Sequence, residues 1–164
     1  MKKILIVSDS HRYDENIKKT IKAVGHLDYF IHLGDSEGCT DKYEDWLAPT
    51  VKKYMVRGNN DFSHLPDVKD EHIAKIGRYT ALLTHGHIYN VSLDLGMLAD
   101  EARAMGADIA MFGHKHRPCI ERRDGITLIN PGSISYPRQD GRHPSYMLME
   151  IDDGGEAHYT INYL

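Results

Sequence analysis

Five short apolar runs occur along the chain, and each is followed within a few residues by a side chain that can bind a metal ion. Runs of this length are typical of strands that are buried on both faces. Because ligands of α/β sheets bind at the carboxyl ends of the strands, we expect these side chains to converge on one cleft if the strands share a sheet edge. The candidate residues are Asp9, His11, Asp35, Asn59, His85, His114 and His116.

The order of the remaining elements indicates the fold class. Apolar residues at helical spacing, with a stop signal at the end, predict helices over 14–24, 41–47 and 93–105. The turn residues at 77–78 and 124–125 predict antiparallel hairpins, and a third hairpin surrounds residues 153–155. Parallel βαβ units followed by antiparallel additions favour an α/β fold with two β layers and helices outside.

Composition excludes several classes of protein. The chain of 164 residues is expected to form a single domain over 1–164, and its net charge of −4 provides no large cationic field for nucleic acid or lipid. No apolar run approaches the roughly 18 residues that a membrane span needs, and the N-terminal run is too short for a signal peptide. We therefore expect a cytoplasmic protein without a membrane partner.

Cys39 and Cys119 form no CxxC pair and are predicted to be free thiols.

Histidine is unusually abundant, with 11 residues in the chain. The candidate set combines three oxygen donors with four imidazoles and no thiolate, which suits Mn²⁺, Fe²⁺, Zn²⁺, Ni²⁺ or Co²⁺ better than a structural zinc site. Seven ligands are too many for one tetrahedral ion, but they suffice for two ions if one carboxylate bridges. Two ions roughly 3.5–4 Å apart can clamp a phosphoryl group and activate a water.

Each candidate also has a simpler interpretation when it is considered alone. A single Asp after a strand is often a turn or helix-capping residue, and a single His is often a surface residue. Five successive strand ends make that interpretation a repeated coincidence. His32 differs because it lies inside an apolar strand, and we predict a core histidine with satisfied hydrogen bonds. Five histidines receive no role: His26, His64, His72, His143 and His158.

The chain resembles the calcineurin-like metallophosphoesterase superfamily in an ordered set of motifs. They are Asp-x-His at 9–11, Gly-Asp at 34–35, Gly-Asn-x-Asp at 58–61, His-Gly-His at 85–87 and Gly-His-x-His at 113–116. Its small size and the segment Asn130-Pro131-Gly132-Ser133 are similar to the short YfcE-type branch of bacterial and archaeal phosphodiesterases. The resemblance runs from Lys3 to about Ser133 and implies a four-layer α/β/β/α sandwich of two mixed β-sheets flanked by helices.

The resemblance also implies two metal sites and a hydrolytic mechanism. Mn²⁺ is the expected ion, with Ni²⁺, Zn²⁺, Co²⁺ and Fe²⁺ as alternatives, and a hydroxide that bridges the two ions is expected to attack phosphorus directly. The first site is assigned to Asp9, His11, Asp35 and His116. The second site is assigned to Asp35, Asn59, His85 and His114, so that Asp35 bridges the two ions.

One position departs from the family pattern. Many relatives have a His that protonates the leaving group where this chain has Asn60, and an amide cannot act as a general acid at neutral pH. His87 or a metal-bound water is the candidate proton source, unless none is needed, and Asn60 and His87 are alternatively candidates to contact the substrate phosphate. Asp61 is expected to orient the Gly-Asn-Asn loop. We expect good activity on activated aryl phosphates and modest activity on poor leaving groups.

Three functions are compatible with these features. The leading prediction is a hydrolase of small phosphoesters, with a phosphodiesterase favoured over a monoesterase. A two-metal nuclease is the alternative, although the short chain and its negative charge make nucleic acid a poor partner. A non-catalytic interaction scaffold, like the retromer subunit of this fold, is disfavoured because all seven ligand positions are filled. A homo-oligomer, dimeric or larger, stays open.

Overall fold

The computed structural model describes residues 1–38, 40–62 and 65–164, so the predictions for Cys39 and His64 lie outside the described residues. The three helices are α1 (Glu15–Val24), α2 (Asp41–Trp46) and α3 (Gly96–Ala104), and a short 3-10 helix spans His87–Tyr89. The strands are β1 (Lys2–Val7), β2 (Tyr29–His32), β3 (Lys52–Met55), β4 (Glu71–Ile76), β5 (Tyr79–Thr84), β6 (Ile109–Met111), β7 (Pro118–Arg123), β8 (Ile126–Pro131), β9 (Ser145–Ile151) and β10 (Ala157–Tyr163).

The strands form two five-stranded mixed sheets. The first sheet has the order β10-β9-β1-β2-β3, in which β1, β2 and β3 are parallel and the β9–β10 hairpin is antiparallel to β1. The second sheet has the order β4-β5-β6-β8-β7, with β5, β6 and β8 parallel and an antiparallel strand at each edge. The three predicted hairpins are thus the pairs β4–β5, β7–β8 and β9–β10.

The apolar strands are buried on both faces because the sheets lie inside four layers. Ile4 and Ile6 of β1 join the core between the two sheets, whereas Leu5 packs on the other face against α1 and α2. In the second sheet, Leu83 faces the same central core and Leu82 packs toward α3. Burial of each such side chain contributes roughly 1.5–3 kcal/mol of hydrophobic free energy. The predicted α/β/β/α sandwich is confirmed.

One helix boundary differs from the prediction by more than one residue. The helix expected over 93–105 begins at Gly96, because the Gly96 N–H donates a hydrogen bond to Asp94 Oδ1 in a turn that precedes the helix. Leu93 is 88% exposed and does not belong to the buried face of α3. The prediction was therefore wrong by three residues at this end, since one apolar residue in the turn imitates helical spacing.

The carboxyl ends of five parallel strands meet at one end of the two sheets. Backbone hydrogen bonds connect the loops there: Asp9 N–H donates to Gly34 O at 3.0 Å, and Gly113 N–H donates to His85 O at 3.0 Å. The polar residues that follow β1, β2, β3, β5 and β6 therefore surround one cleft. None of the helices in the described part of the chain has the length and apolar character that crossing a membrane requires.

Candidate metal centre

The structure brings the seven predicted residues together at this end of the sheets, although their burial differs. Asp9 and His85 have no exposed surface, and Asp35 and His116 are also buried. His11 and His114 are half-buried, and Asn59 is exposed. The candidate centre thus has a buried interior and an open rim.

Two groups of side chains have the spacing that a metal ion requires. They are Asp9 with His11 and His116, and Asp9 with Asp35 and His85, and within each group the candidate ligand atoms lie within 4.8 Å of one another. The Nε2 atoms of His11 and His116 are 3.3 Å apart, and Asp9 Oδ1 lies 3.1 Å from His116 Nε2. The two groups touch through Asp9, so they form one centre and not two distant sites.

Asp35 belongs to the second group and also faces the first. Its Oδ2 lies 3.8 Å from His11 Nε2 and 3.3 Å from His85 Nε2. The carboxylate also accepts hydrogen bonds from the Asn60 backbone N–H at 2.9 Å and from the Asn60 side-chain amide at 2.7 Å. This position is compatible with the bridging role that the family resemblance implies. Asn60 binds Asp35 directly, and its contact with a substrate phosphate stays a prediction.

The rim of the centre is formed by a second set of side chains. His114 Nδ1–H donates to Asn59 Oδ1 at 3.0 Å, and the His114 ring lies 5.2 Å from the His85 ring in an edge-on contact. The half-buried His87 ring is 5.5 Å from His85 and 6.2 Å from His114. His87 therefore borders the cluster, and its proposed role in proton transfer or substrate contact stays a prediction.

The backbone is strained at five of the seven candidate ligands. A left-handed conformation at a residue other than Gly costs on the order of 1–3 kcal/mol, and it persists only where the surroundings fix it. Here Asp9 and His11 donate backbone hydrogen bonds to Gly34 O and Asp35 O, so the two strained loops hold each other. The positive φ angles are Asp9 56°, His11 45°, Asp35 55°, His114 66° and His116 55°.

Three imidazoles are oriented by hydrogen bonds at Nδ1. Such a bond leaves Nε2 free as the ligand atom and fixes the plane of the ring, as is usual for histidines that bind metals. The donors and acceptors are His85 Nδ1–H to Leu33 O (2.7 Å), His116 Nδ1–H to Tyr136 O (2.7 Å) and His11 Nδ1–H to Glu37 Oε1 (2.8 Å).

Sequence reasoning missed Glu37, although its position two residues after Asp35 is a usable signal. Asp61 was expected to orient the Gly-Asn-Asn loop, and its carboxylate accepts the backbone N–H groups of Gly58 (2.8 Å), Asp35 (2.7 Å) and Glu37 (2.6 Å). Asp61 therefore fixes the loops after β2 and β3 relative to each other.

The Asn130–Ser133 segment, which resembles the YfcE-type branch, connects the same loops from the second sheet. The Asn130 amide donates to Gly113 O at 2.8 Å, and Ser133 Oγ–H donates to Asp9 O at 2.8 Å.

Two glycines at the centre have no room for a side chain. At Gly113 a Cβ would lie 2.0 Å from Ser8 Oγ. A Cβ at Gly58 would likewise lie 2.1 Å from Asp35 Oδ1.

The electrostatics of the buried cluster favour positive charge. Burial alone would raise the pKa of Asp9, but His85 and His116 outweigh burial and lower it. Burial is likewise outweighed at Asp35, where His85 and Asn60 hold the pKa well below its usual range. Burial alone would lower the pKa of His85, yet the Asp9 and Asp35 carboxylates raise it to about 9.

The residues fit a bound cation. Asp9 Oδ1 and His85 Nε2 are buried and make no aligned hydrogen bond within the described residues. Unsatisfied buried polar atoms are costly and rare, and two of them here face the same small volume. Carboxylate oxygens and imidazole nitrogens are the donor types that borderline divalent ions prefer.

His32 lies behind the cluster and does not contribute a ligand atom to either group. The Gly34 N–H donates to His32 Nδ1 at 3.2 Å, and His32 Nε2–H donates to Ser10 Oγ at 3.1 Å. Burial lowers the pKa of His32 to about 4, so the ring is neutral. The prediction of a satisfied core histidine is confirmed. Four histidines without an assigned role are exposed: His26, His72, His143 and His158.

A four-layer sandwich with an Asp/His centre at its strand ends defines a class of metal-dependent phosphoesterases, and comparison with known proteins agrees. Residues 1–154 match the family model of the calcineurin-like phosphoesterase superfamily domain. The "Probable metallophosphoesterase YsnB" of Bacillus subtilis is 36% identical over 152 residues, which are 92% of this chain and 85% of that protein. This chain belongs to the calcineurin-like phosphoesterase superfamily and is a hydrolase of phosphoester bonds.

Two further comparisons support this assignment. Phosphodiesterase YfcE of Escherichia coli K12 is 26% identical over 172 residues, covering 93% of this chain and 89% of that protein. The crystal structure of a predicted phosphoesterase from Streptococcus pneumoniae is 27% identical with a TM-score of 0.79, and the match covers 98% of both chains. The family implies divalent metal ions, and the two groups around Asp9 are the candidate ligands.

Proposed function

We propose that this chain is a phosphodiesterase that hydrolyses small phosphodiesters with two divalent cations at the cluster around Asp9. The observation that carries the proposal is the pair of interleaved ligand groups, which share Asp9 and surround two buried, unpaired ligand atoms. The first ion is assigned to Asp9, His11, Asp35 and His116. The second ion is assigned to Asp35, Asn59, His85 and His114.

The two ions, when bound, supply a Lewis-acid clamp on the phosphoryl oxygens and an activated water for direct attack on phosphorus. The chain's own residues prepare that chemistry. The Nδ1 hydrogen bonds of His11, His85 and His116 hold their Nε2 atoms toward the two carboxylates. Asn60 binds Asp35 from the rim and has no acidic proton, so the proton for the leaving group is assigned to His87 or to a metal-bound water, unless the leaving group needs none.

The proposal includes a preferred ion and a preferred substrate size. Mn²⁺ is the preferred ion of the proposal, and a site that mixes carboxylate, amide and imidazole ligands without a thiolate suits it as well as Ni²⁺, Zn²⁺, Co²⁺ and Fe²⁺. The net charge of −4 favours small substrates over nucleic acid. The cytoplasmic location and the oligomeric state stay predictions from the sequence.

A metal-reconstitution experiment tests this function. Protein that has been stripped with a chelator and dialysed is assayed with bis(p-nitrophenyl) phosphate, before and after addition of Mn²⁺, and its metal content is measured. We expect no turnover without metal, recovery with Mn²⁺, and about two ions per chain. Asp35→Ala should abolish recovery, whereas Asp100→Ala on the exposed side of α3 serves as the matched control.

The same experiment separates the alternatives. Failure of Mn²⁺, Ni²⁺ and Co²⁺ to restore turnover, with no ion bound, would favour the scaffold and contradict the proposal. Degradation of DNA or RNA at low protein concentration, lost in Asp35→Ala, would favour the nuclease.

A further inference from the structure

A large cleft opens beside the first ligand group. Its volume is about 610 Å³, and His11 and His116 form part of its lining. The remaining lining comes from the segment 135–138 together with Glu37 and Arg142. Pockets of 300–1,000 Å³ accommodate organic ligands, so this cleft has room for much more than one phosphate.

One wall of this cleft, formed by the segment 135–138, is hydrogen-bonded to the candidate ligand His116. Arg138 N–H donates to His116 O at 2.9 Å, and the carbonyl of Tyr136 accepts the Nδ1–H of His116. Ser133 Oγ accepts the Tyr136 N–H at 2.6 Å and so holds the start of the wall. The wall is therefore set in place before a ligand arrives, which lowers the entropic cost of binding.

The charge of the cleft is opposite to that of the whole chain. Arg138 and Arg142 line it, and neither guanidinium has a carboxylate partner among residues 1–38, 40–62 and 65–164. Glu37 is the acidic residue of the lining, and it is already engaged by His11 Nδ1 at 2.8 Å and by Arg12 Nε at 3.1 Å. Two available guanidinium groups favour an anionic ligand, and arginine is well suited to phosphate.

An aromatic surface accompanies the two arginines. Tyr136 is 44% exposed, and its ring makes edge-on contacts with His11 at 5.4 Å and with Tyr13 at 5.5 Å. These contacts hold the ring next to the metal-binding cluster while leaving part of it open to the cleft. Aromatic side chains of this kind bind flat rings such as nucleobases by stacking.

We infer that this cleft binds one organic arm of the substrate, an arm that carries a flat ring and its own terminal phosphate, as in a phosphorylated dinucleotide. The inference rests on the proposed function and specifies its substrate class. The scissile phosphodiester lies over the cluster around Asp9, Tyr136 contacts the base, and Arg138 and Arg142 bind the terminal phosphate. The oxygen of water adds to the central phosphorus, and the bond from phosphorus to the ester oxygen of one arm breaks. That oxygen leaves as an alcohol and carries one of the two protons of the water.

Three dinucleotides that differ by a single phosphate test this inference with the Mn²⁺-loaded protein. They are adenylyl-adenosine without a terminal phosphate and its 5′-phosphorylated and 3′-phosphorylated forms. We expect kcat/KM for one of the phosphorylated forms to exceed that of the unphosphorylated form about tenfold or more, since charge-assisted hydrogen bonds to phosphate are strong. A preference for the 5′ form places the arm that is joined through its 3′ oxygen in the cleft, and a preference for the 3′ form places the arm that is joined through its 5′ oxygen there.

The double variant Arg138→Ala/Arg142→Ala should bring this ratio close to one. Arg122→Ala, which removes an exposed positive charge on β7 outside the lining, should keep the ratio of the wild type. A thermal melt of each variant checks that it is folded. Equal rates on all three dinucleotides in the wild type, or a preference that survives in the double variant, would overturn the inference.

A second measurement does not depend on turnover. Calorimetry in the presence of a chelator compares the binding of 5′-AMP, 3′-AMP and adenosine to the wild type and to the double variant. We expect the wild type to bind the nucleotide that matches the preferred dinucleotide about tenfold more tightly than adenosine, and the double variant to lose that difference. Failure of the Mn²⁺-loaded wild type to hydrolyse bis(p-nitrophenyl) phosphate would refute the proposed function, whereas equal binding of both nucleotides and adenosine to the wild type would refute the inference about the cleft.

Discussion

The buried interior and the open rim of the metal centre are built by different means. The interior contains Asp9, Asp35, His85 and His116, which are almost without exposed surface and are held by hydrogen bonds from neighbouring loops, and all of them except His85 have left-handed backbone. The rim contains the exposed Asn59 and Asn60 and the half-buried His87 and His114.

This difference indicates a division of tasks. The interior positions cannot move without breaking several backbone hydrogen bonds, so they are suited to fix the ions. Two rim residues, Asn59 and His114, are assigned to the second ion, whereas Asn60 and His87 are not ligands and are suited to meet the substrate or to affect protonation of the leaving group. Substitutions in the interior should therefore cost far more than substitutions of Asn60 or His87.

The largest effect is expected at Asp35, which faces both ligand groups. Asp35→Asn keeps the shape of the side chain but removes its charge, and we expect a loss of about a thousandfold in kcat/KM together with loss of bound Mn²⁺. Activity on bis(p-nitrophenyl) phosphate and metal content measure this. A variant that retained two ions and most of its activity would contradict the assignment of Asp35 to the interior.

An intermediate effect is expected at Glu37, which orients His11 through Nδ1. Removal of such a supporting carboxylate typically costs 10–100-fold in metal affinity or activity, so we expect about that loss in Mn²⁺ affinity for Glu37→Ala. Glu37→Gln can still accept the hydrogen bond and should lose less. Titration of Mn²⁺ into stripped protein gives the affinity, with Glu44→Ala on α2 as the control. Equal affinities for the Glu37 and Glu44 variants would show that Glu37 does not position the ligand.

A smaller effect is expected at the rim, where a substitution should raise the relative rate on substrates with poor leaving groups. Asn60→His introduces a group that can protonate a leaving group, which should raise the ratio of rates on alkyl over p-nitrophenyl diesters by about tenfold or more. Asn60→Ala provides the control, because it also removes the side-chain hydrogen bond to Asp35, keeps the backbone one and adds no acid. Identical ratios for the two variants would mean that leaving-group protonation does not limit this enzyme.

The smallest effect on activity is expected at His32, behind the interior, where the predicted change is one of stability. The ring has a pKa of about 4 in the folded protein and 6.5 in an unstructured peptide, so the unfolded chain binds a proton first as the pH falls. Stability from this group is complete above pH 6.5 and is lost toward pH 4, by about 3 kcal/mol. Urea unfolding of stripped protein at pH 7.5 and pH 4.5 measures the loss.

His32→Gln does not titrate and serves as the reference. Between pH 6.5 and pH 4 only the wild type loses stability from this position. The difference in the free energy of unfolding between the wild type and His32→Gln should therefore shrink as the pH falls. A constant difference between the two proteins over this range would show that His32 titrates alike in the folded and unfolded chains.

The sequence predicted the four layers and the convergence of the motif residues, because both depend on local patterns. Buried strands read as continuous apolar runs, and parallel strands bring their carboxyl ends to one side. The support provided by Glu37 and Asp61 was less visible, since it depends on contacts between loops distant in the chain. The cleft with Arg138 and Arg142 depends in the same way on the return of a late loop to His116, which no local pattern encodes.

Start positions of helices were the weaker part of the prediction. Leu93 continues the apolar spacing of α3, but Asp94 accepts the Gly96 N–H and so sets the beginning of the helix. The left-handed backbone at residues such as Asp9 and His114 was also not foreseen, because tertiary hydrogen bonds and not local propensity stabilise it.

Gly58 and Gly113 have a consequence for the interpretation of other sequences with this fold. A single methyl group at Gly58 would collide with Asp35, and one at Gly113 would collide with Ser8. A related chain can therefore retain every acidic and imidazole ligand and still be unable to assemble the centre, if either glycine is replaced. These two positions offer a criterion, independent of the ligands themselves, for separating active members of the superfamily from members that have lost their chemistry.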